Sequence, residues 1–553
     1  VGADMFPENS NLTLSGKFTY YNPHKMPFDT LWYNMNPDGI VRKFDISKPA
    51  KLVFEDAKKG IRAYKLETPL APGDSFMLDF KMDLAFTGLD NESPVRGNGT
   101  FFNNRQWPSV GYNDGYRIED EDKRKEYGLK EIPTMPSQSD SGEIDKSLFD
   151  DKNHSIRFEA TLSTSPDQIA IAPGYLTKEW TQNGRRYFHY KMDRPITNFY
   201  SVLSARYEVY KENWKGIEIS IYHHSWHTFN IKKMAEAVRH SLDYYTENFG
   251  PYQHRQVRIL EFPRYSSFAQ SFDNTIPYSE GIGFIANLDE EDAIDYVYFV
   301  TAHEMAHQWW GHQINPANAR GAQFLSETMA EYSALMVMRK RYGDELMGRF
   351  LRKELSGYLN GRSSEKKKEN PLMDIEMQSY AYYNKGSMAM YNVMDLIGEK
   401  KMNEFLKEFV SRYRFTSRPY PTTNNFYSAL QAYLTPEQKE LADDQLKRIT
   451  LYKNKMVSAT GKKLANGKFE VRMKVETGKM YVDSLGGKEQ NVPATGLFGL
   501  ALTMEERPKK KGDVIRMEKL AIRTGQEIVW VTDKKPVYAS FDPLNTLTDI
   551  LPE

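Results

Sequence analysis

Cysteine is absent from all 553 residues. That excludes disulfide bonds and thiol catalysis, and it leaves histidine and carboxylate as the ligands for any metal site. No apolar run approaches the ~18 residues of a membrane-spanning helix. An excess of either charge is missing too. The 74 basic residues balance 74 acidic ones, so nothing electrostatic favours nucleic acid or a membrane surface as partner. Methionine is missing from the first position, where Val1 stands. The expectation is that a signal peptide or a longer N-terminal portion precedes it. What is present is globular in character, 40% hydrophobic and 13% aromatic. A chain of this length suggests three or four domains.

The patterning divides the chain into three parts. Residues 12–20 and 75–82 alternate as strands, with turn chemistry at 36–39 and 71–74. Residues 118–151 are polar and charged, and are expected to form a surface insertion loop. Beyond residue 207 the periodicity changes. Asn230 is placed to cap a helix carrying Ile231, Met234, Val238, Leu242, Tyr245 and Phe249, ended by Gly250-Pro251. Helical patterning continues to about 446, and residues 468–475 and 526–531 then alternate as strands. The expected fold is multidomain α+β. It has an N-terminal β-domain over 1–206, a mainly helical domain over 207–446 and a small β-sandwich over 447–553. His223, His224 and His227 fit neither a helical pair nor a known zinc signature and read as a surface turn. The charged run 365–369 reads as solvated surface.

One stretch carries chemistry. His303-Glu304-Met305-Ala306-His307 is an HExxH pattern. Two imidazoles four residues apart share one helix face and can reach one ion, with Glu304 beside the place a water would occupy. A catalytic zinc site needs a third protein ligand and an open position. The extended pattern HExxHxxGxxH fails, because Gly311 and His312 fall four and five residues beyond His307. A glutamate from a following helix, expected over 322–341, remains: Glu327, or Glu331 one turn on. The apolar residues 293–300 are expected to hold the ligand helix in the core.

HEMAHQWWGHQ followed by FLSETMAEY resembles the HELAHQWFGN and WLNEGFARY blocks of the M1 zinc aminopeptidases, a gluzincin family with a thermolysin-like catalytic domain. The resemblance implies one zinc ion per chain on His303, His307 and Glu327. Nineteen residues separate His307 from Glu327 where the family usually has eighteen, and the loop 313–321 is expected to absorb the extra one. Tyr380-Ala-Tyr-Tyr-Asn-Lys-Gly386 resembles the family's PYEKG block, which gives Tyr383 the hydrogen bond to a developing oxyanion; Glu304, beside the water, is the expected general base and acid. Ala269-Gln-Ser-Phe-Asp-Asn274 lies where the family has GxMEN, thirty residues before His303. It implies substrate binding by Gln270, Asp273 and Asn274, with Asp273 meeting the free amine and Glu261 or Glu280 sharing that task, and an edge strand pairing with the substrate backbone. Residues 104–108 resemble the family's ARRxFP segment. The implied function is removal of N-terminal residues from peptides. The altered GxMEN segment keeps open an endopeptidase or other hydrolase, and a catalytically silent binding or sensing module is the third reading. Many members end in a large helical domain over the active site. No such pattern follows residue 446, so the cleft is expected to be open, or covered by a partner or by another part of a larger parent chain. The chain is most similar to the M1-like module of long bacterial permease-type membrane proteins, which implies a cell-envelope or membrane-associated location within a larger chain.

Overall fold

The computed structural model describes residues 1–551 except 87–92, 112–116, 131–134, 150–154, 288–293, 366–367, 483–487 and 495. Contacts divide the chain into two units. One comprises 1–134, 149–235 and 254–286; the other comprises 135–148, 236–253 and 287–553. Among the described residues no helix is long and apolar enough to cross a membrane.

The first unit is built of sheets. Ser75–Leu84 shows why: Phe76, Leu78, Phe80, Met82 and Leu84 are buried and share one face. Only an extended ribbon puts every second residue on one side. This strand pairs with Asn11–Tyr21 from Leu12 opposite Leu84 to Tyr21 opposite Ser75. Both lie in a seven-stranded sheet in which Gly2–Phe6 is an inner strand, parallel to Glu159–Thr164 and antiparallel to Asn11–Tyr21. A four-stranded and a three-stranded sheet complete the layers, with residues from all three sheets in one core around Tyr33, Phe80, Phe102 and Phe188. The segment 104–108 is a structural corner. Asn104 donates its N–H to Tyr200 O and its amide to Asn198 O, and Trp107 is buried.

A separate sheet of the same unit orders Glu208–Trp214, Ile217–His223, Gln256–Phe262 and Thr275–Ser279. Its first pair is antiparallel and the rest are parallel. A strand covered on both faces reads as a continuous apolar run, and Gln256–Phe262 is buried from Val257 onward. The parallel strands end near His223, Phe262 and Ser279. The helix Ile231–Phe249 forms as expected, but Asn230 does not cap it with its side chain. The Asn230 amide donates to Gly283 O and Ala286 O, and its carbonyl alone takes the Met234 N–H.

In the second unit every position of Met329–Tyr342 from Met329 to Met338 is buried. A helix covered all round is an interior helix, and it packs on Tyr296–Ala306 and Gly386–Ile397. The stretch 118–151 is not a single surface loop. Glu121–Glu126 is a short helix, and 135–148 is docked within the second unit, while 131–134 and 150–151 lie outside the described residues. Hydrogen bonds of 2.9 Å run from Leu148 N–H to Pro316 O, Asn318 N–H to Lys146 O and Arg320 N–H to Pro136 O. The segment 316–320 between His307 and Glu327 is thereby tied down by backbone pairing. From Ile449 the chain forms two sheets, with Ile449–Lys463 and Phe469–Val482 in one and Leu497–Thr503 and Val514–Ala521 in the other. Val471, Met473 and Trp530 meet Phe498, Leu500 and Phe541 in a shared core, the packing of a β-sandwich.

Candidate metal centre

The helix Tyr296–Ala306 carries the HExxH residues. Asp295 caps it by accepting the Tyr298 N–H and also accepts the Tyr342 hydroxyl. Val297, Tyr298, Ala302, Met305 and Ala306 are buried, and Tyr245 donates its hydroxyl to Ala302 O at 2.9 Å. The expected buried helix is thus present from Tyr296; Ala293 lies outside the described residues. Glu304 is buried on this helix between the two imidazoles in sequence.

The geometry at the end of this helix is that of three donors around one point. His303 Nε2 and His307 Nε2 lie 3.0 Å apart, and Glu327 Oε2 lies 3.5 Å from the first and 3.3 Å from the second. Ligands about 2.0–2.1 Å from a tetrahedral zinc are separated by about 3.3 Å, so the triangle has the right size. The tautomer is fixed as well. His307 Nδ1–H donates to Trp310 O at 2.9 Å, so in the neutral ring its Nε2 presents the lone pair. His303 Nδ1 faces Glu331 Oε1 at 3.3 Å. That places Glu331 behind the imidazole, while Glu327 closes the triangle with the two Nε2 atoms. Among the described residues, Glu327 Oε2 is buried with no hydrogen-bond donor in proper geometry.

The charges make the same demand. Burial pushes the Glu327 carboxyl up, yet His307 and His303 outweigh it and hold the group well below the usual carboxylate range. Burial likewise pushes His307 down, and Glu327 overrides it to bring the imidazole up to about 9. A pocket that recruits a proton onto an imidazole next to a buried carboxylate is one that needs positive charge. A divalent ion satisfies it with all three donors deprotonated.

Two π-helical turns present the remaining groups. Glu327 lies in Phe324–Thr328 and Tyr383 in Tyr380–Lys385; such turns are rare and concentrate at functional sites. The turns touch. Thr328 Oγ1 donates to Tyr382 O, and a Cβ on Gly386 would come within 2.4 Å of Thr328 Oγ1. The Tyr383 ring centroid is 6.1 Å from that of His303. Burial, then the charge on Glu327, pushes the Tyr383 hydroxyl far up, so it stays protonated. Its segment is anchored by buried ions. Lys385 Nζ lies 2.8 Å from Glu369 Oε1, and Glu369 also takes Arg362 and the Tyr358 hydroxyl. Glu369 is therefore not part of a solvated run. It is buried as the counter-charge to Lys385, while 366–367 lie outside the described residues. Sequence reasoning missed this pairing and the Trp310 carbonyl, since neither sits at a telling spacing.

The residues expected to meet substrate lie in the first unit. Asp273 is buried and paired with His254, Oδ1 to Nε2 at 3.1 Å. Asn274 is fully buried at φ 49°, accepting Arg258 and Gln256 on its amide oxygen. It is a packing residue rather than a substrate contact. Gln270 is half-buried and donates its backbone N–H to Pro277 O at 3.1 Å. The edge strand is Thr275–Ser279 rather than 269–274, and residues 268–272 already occupy part of its edge through the Gln270 bond and Ser279 N–H to Phe268 O. His223 and His224 are buried, contrary to a surface turn, because the loop after Ile217–His223 folds onto Glu261.

Residues 233–449 match the sequence profile described as the Peptidase family M1 domain. The probable aminopeptidase 1 of Sulfurisphaera tokodaii is 24% identical over 193 residues, covering 33% of this chain and 24% of that protein. Human endoplasmic reticulum aminopeptidase 2 is 24% identical over 209 residues, covering 36% and 22%. The chain thus spans about a quarter of the length of these curated relatives. In structure it is similar to an M1 zinc metallopeptidase of Deinococcus radiodurans bound to a Tyr-Ser-Ala substrate, with a TM-score of 0.53 and 15% identity over 80% of this chain and 93% of that one. At that identity the likeness is one of fold.

Proposed function

Because residues 233–449 are a peptidase family M1 domain, we propose that this chain is a zinc-dependent metallopeptidase that removes N-terminal residues from peptides. The observation that carries the reading is the convergence of His303 Nε2, His307 Nε2 and Glu327 Oε2 within 3.5 Å of one another, with Glu304 on the same helix. Those three atoms would hold the ion. When bound, zinc supplies a Lewis acid that lowers the pKa of water to about 7 and draws charge from a carbonyl oxygen. The Glu304 carboxylate takes a proton from the attacking water as its oxygen adds to the scissile carbonyl carbon. As the carbon–nitrogen bond breaks, Glu304 returns that proton to the leaving amine. The Tyr383 hydroxyl, kept protonated, donates a hydrogen bond to the carbonyl oxygen as negative charge gathers there, a contribution of roughly 3–4 kcal/mol. The Trp310 carbonyl holds the His307 imidazole in orientation, and the Glu331 carboxyl lies 3.3 Å from His303 Nδ1 on the far side of that ring.

The free amino group of the peptide is assigned to Asp273, with Gln270 beside it, on their position in the sequence. The pairing of Asp273 with His254 favours a second reading, an endopeptidase that makes no use of the amine. Matched peptides with free and acetylated N-termini separate the two, using the zinc-loaded protein and Glu304→Gln as control. Cleavage confined to the free amine and abolished in the control is the expected result. Equal cleavage of both peptides would replace exopeptidase by endopeptidase, and no cleavage of either would remove the enzymatic reading.

A further inference from the structure

The first unit contains a second convergence of metal-ligating groups, at the carboxyl ends of three parallel strands. His227 follows Ile217–His223, Glu261 lies near the end of Gln256–Phe262, and Glu280 opens the π-helical turn after Thr275–Ser279. One ligating atom from each lies within 4.8 Å of the others. In open sheets with parallel strands, loops at the carboxyl ends converge to make binding sites. Glu261 is fully buried. Its Oε2 accepts the His224 N–H at 2.7 Å and its Oε1 meets His227 Nδ1. Glu280 is fixed from outside, since its Oε1 accepts the Arg264 N–H at 2.8 Å. The loop that brings His227 in is itself held, with His223 Nδ1 and His224 O 2.9 Å apart and the Trp226 ring stacked on that of His224.

We propose that His227, Glu261 and Glu280 bind a second divalent transition-metal ion, of the zinc or manganese class. A structural ion pair needs only His227 and Glu261. Bringing Glu280 as a third group to within 4.8 Å sets a second carboxylate beside the first, a like-charge approach that a cation among them would relieve. Two carboxylates neutralise a divalent charge, and one imidazole with two carboxylates suits metals that accept mixed nitrogen and oxygen ligands. A cavity of about 540 Å³, lined by Arg96, Asn98, Pro263, Arg264, Tyr265 and Glu280, opens beside the cluster. It provides an entry path and room for water or a small anion to complete the coordination. Three ligands on three separate elements have no fixed sequence spacing, so no motif announces them.

Zinc stoichiometry after equilibrium dialysis, measured by elemental analysis on the full chain, tests this. The unaltered protein should hold two zinc ions, Glu261→Gln one, and the His303→Ala/His307→Ala double variant one. In that double variant, Co²⁺ should give visible absorption bands that Glu261→Gln removes. One zinc in the unaltered protein and none in the double variant would overturn the second site. One zinc that survives the double variant but not Glu261→Gln would uphold it and remove the centre assigned above. Glutamine preserves the acceptor for His224 N–H; should that variant not fold, His227→Gln serves the same comparison.

Discussion

At Glu304, glutamine keeps the size of the side chain and removes the basic oxygen. Glu304→Gln should therefore retain zinc while kcat falls by roughly 10³-fold or more, the upper part of what general acid–base catalysis contributes. Glu327→Ala should act in the opposite order, losing metal first. Elemental analysis of the two variants beside their kcat values separates the roles, and tight zinc retention in Glu327→Ala would move the third ligand to Glu331. Tyr383→Phe removes one hydrogen-bond donor and nothing of the packing. It should lower kcat by about 10²–10³-fold with KM little changed, since the donor acts on charge that appears only in the transition state. An unchanged kcat would take Tyr383 out of the mechanism. At this scale His303, Glu304 and His307 are legible in the sequence because four residues on a helix is a local relation. Glu327 and Tyr383 became legible through their neighbours in two motif blocks. The Glu369 partnership with Lys385 spans sixteen positions and a change of element. Charge patterning alone therefore assigns Glu369 to the solvent.

The elements that matter most are the two π-helical turns and the place where they meet. Gly386 is a glycine for steric reasons, since an added Cβ would sit 2.4 Å from Thr328 Oγ1 and 2.7 Å from its Cγ2. Gly386→Val should push the Tyr383 turn off the Glu327 turn and lower kcat at least tenfold, because a misplacement of about 1 Å at a reacting centre costs on that scale or more. Gly386→Ala combined with Thr328→Ala should recover part of the activity lost in Gly386→Ala alone; no recovery would show that the crossing is not the cause. Lys385→Ala tests the anchor. It leaves Glu369, buried at 6% side-chain exposure, with Arg362 as the cation that remains, a change worth up to about 3 kcal/mol of stability. Denaturant melts read this directly, and adding Glu369→Gln should restore much of the loss. The strands and helices around these turns followed from period and turn chemistry. The π-helical turns did not, because one extra residue per turn barely disturbs a hydrophobic pattern. The docking of 135–148 was equally invisible, since its backbone bonds can be made by any polar sequence and its side-chain bonds, Gln138 to Met373 O and Ser147 to Asn315 Oδ1, span 235 and 168 positions.

The molecule as a whole was legible in outline: a β-rich start, a helical region with the metal ligands, and a β-sandwich at the end. The sandwich carries its own titration. Asp549 is buried, accepts the Asn454 and Leu551 N–H groups, and is pushed by burial from 3.8 up to about 6. The folded state thus binds this proton more tightly than the unfolded chain does. Its contribution to stability should fall as pH rises from about 4 to about 6, by roughly 2–3 kcal/mol, and stay constant above. Melts across that window should show a shallower dependence in Asp549→Asn, and an identical dependence would rule out Asp549 as the source. The division into two units was not legible, because the path between them is not sequential. The chain passes from one unit to the other five times, at 134/135, 148/149, 235/236, 253/254 and 286/287. On the ribosome, segments 135–148 and 236–253 are made long before the rest of their unit exists. Tyr245, which donates to the carbonyl of Ala302 next to the first imidazole, must wait for that helix to emerge. The metal-ligating unit is therefore a late product of synthesis, and residues 287–553 expressed alone would lack the two earlier segments that complete them.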